Sequence, residues 1–72
     1  MPDGMTTLGE ALPAEIARVR DEVLPVYLEL GAAGQFGVVL MRLALDRASV
    51  AMVSGDVVGM IRACEDLKGY QL

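Results

Sequence analysis

The stretch that decides the fold is GQFGVVLMRLALDRASVAMV, residues 34–53. Apolar side chains surround almost its whole circumference at helical spacing. Only Gln35, Arg42, Asp46, Arg47 and Ser49 are polar, and Arg42, Asp46 and Ser49 fall on one narrow stripe. A helix that is apolar nearly all round must be covered on more than one side. In a three-helix monomer each helix keeps one flank in water, and this segment has too little polar surface for that. It is therefore expected to form the heart of a subunit interface. The contact residues expected there are Phe36, Val39, Leu40, Leu43, Ala44, Ala48 and Ala51, and the expected assembly is a homodimer. By the same reasoning, a charge at Leu43 should disrupt the protein far more than truncation of Glu22. The segment is long enough to span a bilayer, but Arg42, Asp46 and Arg47 near its middle would each cost about 2.5–3.5 kcal/mol on insertion.

Upstream, Ile16, Val19, Val23, Val26 or Tyr27, and Leu30 repeat every three or four residues, and Leu12 extends the same face backwards. Glu15, Arg18, Asp21, Glu22 and Glu29 take the opposite side. A helix is predicted from Pro13, where the missing N–H of proline is harmless, to a stop at Gly31. Thr7 and Glu10 have capping-box spacing and are expected to close a short turn before it, the alternative being a helix that holds Pro13 within its first turns. Pro25 should interrupt this helix and kink it near Asp21 to Leu24, the apolar rhythm continuing in phase across it. Downstream, Asp56 is the expected N-cap of a third helix, Val57 to about Lys68, with Val57, Met60 or Ile61, Cys64 and Leu67 inward and Gly69 as its end. No segment alternates with period two, and no repeat is present. The reading is all-α: an up-down-up three-helix bundle with short links, completed by dimerisation. One domain, residues 8–72, follows a polar lead, residues 1–7, in which Met5 is a candidate alternative start.

Composition points the same way. At 72 residues a lone chain hides only about 60% of its unfolded surface and is marginal by itself. One cysteine forms no internal bridge, and without histidine the common structural zinc sites are out of reach. With glycine included and tyrosine left out, the apolar share is roughly 62%, against about 45–50% ordinarily. The excess implies apolar surface on a single copy, which usually marks an association site. A net charge of −4 disfavours binding to nucleic-acid backbones or anionic membranes. The first residues lack the basic and apolar regions of a secretory signal, so the chain reads as cytoplasmic.

The remaining residues are better explained by packing than by chemistry. Cys64 has no histidine to activate it and shares the inward stripe with Ile61 and Leu67. Glu15, Glu22 and Glu29 recur every seven residues, but Arg18 lies within one turn of the first two. Arg42 with Asp46, Arg62 with Asp66, and Glu65 with Lys68 repeat that layout, which is the pattern of a charge-paired wet face rather than a metal site. Gly31, Gly34 and Gly37 precede a helix without the strand and lysine of a phosphate loop. No cofactor, metal or catalytic residue is expected. Gly37 and Gly59, with Met41, Met52 and Met60 nearby, are expected to serve close helix packing, with an apolar-ligand pocket as the alternative. A helix-turn-helix DNA reader is the weaker alternative, because Asp56, Glu65 and Asp66 would accompany Arg62 and Lys68 on its third helix.

Overall fold

The computed structural model describes residues 7–72, and the described residues are helical throughout apart from short links and the C-terminal tail. Most of the expected polar lead, residues 1–6, lies outside them. In chain order the helices are α1 (Leu8–Arg18), α2 (Leu24–Glu29), α3 (Gln35–Ser54) and α4 (Val57–Lys68). A π-helical turn, Val19–Val23, joins α1 to α2 without a break in the helical chain, so the architecture is a three-helix one with α1–α2 as its first member.

The first helix begins at Leu8, upstream of the predicted start at Pro13. Thr7 is its extended N-cap. The Thr7 amide donates to Glu10 Oε1 at 3.1 Å, and its hydroxyl donates to the same oxygen at 3.2 Å. The amides of Glu10 and Ala11 both donate to the Thr7 carbonyl. This start is strong enough for the helix to run through Pro13, which is exposed and forfeits one backbone bond. At Pro25 an unbroken α-ladder would drive the proline ring into the Asp21 carbonyl. The chain instead widens by one turn immediately before it, and the Leu24 amide reaches back five residues to Val19.

Leu12, Val19 and Val23 are buried as the rhythm predicts, and Tyr27 rather than Val26 continues the face. Leu30, expected inward, is exposed because the helix ends there: Gly31 follows with φ +64°, and a 3₁₀ turn, Gly31–Gly34, leads into α3. Gly55, with φ +69°, makes the link to α4, where the Asp56 side chain accepts from the Gly59 amide at 3.1 Å. In α4 the inward residues are Ala63, Cys64 and Leu67, with Met60 partly covered. Val57 and Ile61, placed inward by the sequence reading, lie on the flank turned away from the core and are exposed.

One side chain ties the ends together. Arg18 Nη1 donates to the Tyr70 carbonyl at 2.8 Å, and Nη2 donates to the Leu67 carbonyl at 2.9 Å and to Glu15 Oε1 at 3.0 Å. The guanidinium thus caps the C-terminus of α4, where helix carbonyls lack internal partners, and places a cation at the negative end of the helix dipole. The sequence reading put Arg18 on the wet side; it is only 29% exposed.

The molecule is a slab of 39 × 28 × 15 Å. Its Cα radius of gyration, 12.8 Å, exceeds the roughly 11 Å of a compact domain this long. Among the described residues twelve apolar ones are buried, four of them alanines, whereas thirteen large apolar side chains are exposed. More bulky apolar groups therefore lie outside this core than inside it.

Candidate interaction surface

Helix α3 has two apolar faces. Val38, Met41, Ala44, Ala48 and Ala51 form the buried one, against α4 and the α1–α2 segment. Small side chains there allow close approach: a Cβ on Gly59 of α4 would stand 3.4 Å from Ala51 Cβ. Ala44, Ala48 and Ala51 are thus enclosed by their own chain and cannot be contacts for a second copy. That corrects the sequence assignment for these three. The helix packed against this small-residue face is α4 of the same chain.

The other four expected contact residues stand on the outer face, Phe36 75% exposed, Val39 49%, Leu40 38% and Leu43 48%. Val50 at 64% and Val53 at 90% continue this ridge to the end of α3. The sequence reading missed both, although the seven-residue spacing of Phe36, Leu43 and Val50 marks one line on a helix.

Polar groups flank the ridge differently on its two edges. Arg42, Asp46 and Ser49 border an open groove of about 570 Å³, whose far wall holds Ile16 and Arg20. Arg47 borders a second groove on the α4 side, with Asp56, Arg62 and Asp66. Arg20 is already engaged, its Nε and Nη2 donating to the Asp21 carboxylate at 2.8 and 2.9 Å. That hydrogen bonding, reinforced by the opposite charge, raises Arg20 and holds the Asp21 carboxyl below its ordinary value. Among the described residues the ion pairs are Arg18–Glu15 and Arg20–Asp21. The pairs expected between Arg42 and Asp46, Arg62 and Asp66, and Glu65 and Lys68 are not formed. Exposed pairs are worth about 0–1 kcal/mol, too little to hold two long side chains in one geometry.

Other candidate groups are absorbed by packing. Cys64 is buried in the core. The Ser54 hydroxyl donates to the Val50 carbonyl at 2.9 Å. A Cβ on Gly37 would lie 2.7 Å from the Tyr27 ring, so the space there holds an aromatic side chain and is no cavity. Arg62 shares its groove with two carboxylates, Asp56 and Asp66, an unfavourable setting for a phosphate. Among the described residues no three cysteine or carboxylate side chains converge as metal ligands would, and no helix is long and apolar enough to cross a membrane. No protein-family model, curated protein or solved structure matches the chain. The α3 ridge carries six exposed large apolar side chains along one helix.

Proposed function

We propose that this chain is a non-catalytic self-association module, in which two copies meet through the outer ridge of α3 to form a homodimer. The observation that carries the reading is the line of Phe36, Val39, Leu40, Leu43, Val50 and Val53, left in water on the side of α3 opposite the core. Their exposed area is on the order of 600 Å² per copy, so a pair hides roughly 1,200 Å² before any polar rim is added, which reaches the lower bound of specific interfaces. The setting belongs to the same proposal: a free cysteine buried in the core suits a reducing cytoplasm.

Leu43→Asp tests it. Leu43 is half exposed, so the variant should keep its helical circular dichroism while a carboxylate enters the centre of the ridge. Sedimentation should give a dimer for the parent chain and a monomer for the variant. A variant that associates as tightly as the parent would sink the assignment of the ridge.

A further inference from the structure

Resting on that reading, we infer that the two α3 helices pair antiparallel, with a two-fold axis crossing them near Ala44. Arg42 of each copy then meets Asp46 of the other.

The ridge is nearly symmetric about the middle of its helix. The midpoint of Gln35–Ser54 falls between Ala44 and Leu45. Phe36 and Val53 stand equally far from it on opposite sides, and so do Val39 and Val50. A reversed copy therefore sets Phe36 on the partner's Val53 and Val39 on the partner's Val50. The two Leu43 side chains close the centre. Apolar group meets apolar group at both ends and where the two Leu43 side chains approach each other.

The edges decide the direction. When two helices are related by a two-fold axis and run antiparallel, each edge meets the same edge of its copy. When they run parallel, each edge meets the opposite one. The α1-side edge carries Arg42 and Asp46, four residues apart and centred on position 44. Reversed upon itself, this edge forms two reciprocal charge pairs, Arg42 with the partner's Asp46 and Asp46 with the partner's Arg42. Both groups are uncommitted, since neither pairs with the other or with another described residue within its own chain. On the α4-side edge the stem of Arg47 falls beside the partner's Leu40, and no two cations are forced together. A parallel pair would bring Asp46 to the partner's Arg47 but leave Arg42 without an acid on the opposing edge. The antiparallel pair satisfies both. The groove walled by Ile16 and Arg20 leaves room along the edge where these contacts form.

Charge exchange and cross-linking test the direction separately from association itself. Asp46→Arg turns both reciprocal pairs at the centre of the antiparallel dimer into pairs of like cations and should weaken dimerisation at least tenfold. Combining it with Arg42→Asp restores the reciprocal pairs and should bring the dissociation constant back to within a few-fold of the parent. In a parallel pair the double variant would set the cation introduced at position 46 against the partner's Arg47 and stay weak. For the second arm, Val39→Cys and Val50→Cys are made in a Cys64→Ala background and oxidised singly and as an equal mixture. A disulfide requires Cα atoms within about 7 Å, so the antiparallel pair should yield a 39–50 heterodimer from the mixture and little from either variant alone. Homodimeric cross-links from each variant alone would overturn the direction. A chain that sediments as a dimer yet neither cross-links 39 to 50 nor responds to the charge exchange would overturn this geometry and leave self-association standing. A monomeric parent chain would remove both.

Discussion

Replacing Arg18 with methionine keeps most of the apolar stem and removes the guanidinium that holds Leu67, Tyr70 and Glu15. Hydrogen bonds to a charged group contribute about 1.5–3 kcal/mol each when shielded. Arg18 is 29% exposed and water can reach the carbonyls it leaves behind, so the two long-range bonds together merit about 2 kcal/mol rather than the full sum. Loss of a cation at the end of α4 adds about 0.3–1 kcal/mol. Against a total of roughly 4–11 kcal/mol for a chain this long, that is a large fraction. Urea unfolding followed at 222 nm, at one fixed protein concentration, should show a correspondingly lower midpoint, and the melting temperature should fall by roughly 10–25 °C. Glu15→Gln, which loses only the part-exposed pair, should cost less than about 1 kcal/mol. If Arg18→Met and Glu15→Gln unfold alike, the guanidinium is not the tie between α1 and α4.

Met41→Ala, at a fully buried position, should cost about 2–5 kcal/mol in the same unfolding assay. A cost near zero would place the core elsewhere. Gly37→Ala adds a methyl group 2.7 Å from the Tyr27 ring and should destabilise by about 1–3 kcal/mol despite the better helix propensity of alanine. A stabilised variant would show that Tyr27 moves freely. The chain has no histidine, so its urea midpoint should be flat between about pH 5.5 and 8. The Asp21 carboxyl is lowered in the fold, so its small contribution is complete above the unfolded value and is lost as pH falls through the folded one. Asp21→Asn should remove that part of the acid limb alone, and a histidine-like step near neutrality would contradict the account.

Elements whose chemistry is local were legible in the sequence. Gly31 as a stop, Asp56 as a cap and the span of α4 follow from side chains acting on backbone groups a few residues away. The helix start was misplaced because Pro13 looked like a first-turn residue, while Thr7 and Glu10 had already closed the end. The azimuth of α3 was not legible. A helix apolar on both sides gives no periodic signal for which side faces its own chain, and only the small residues Ala44, Ala48 and Ala51 hinted at the close-packed one. The role of Arg18 was invisible for a different reason: its carbonyl partners lie 49 and 52 residues away. Of the expected contact residues, the four bulky ones stand on the free ridge and the three alanines do not.

Sedimentation equilibrium of the unaltered chain, from about 1 µM to about 1 mM, bears most directly on the whole account. The slab with its uncovered ridge should sediment at twice the chain mass over most of that range and dissociate only at the dilute end. A single-chain mass throughout would show that water tolerates the ridge of α3, and the proposed association would fall.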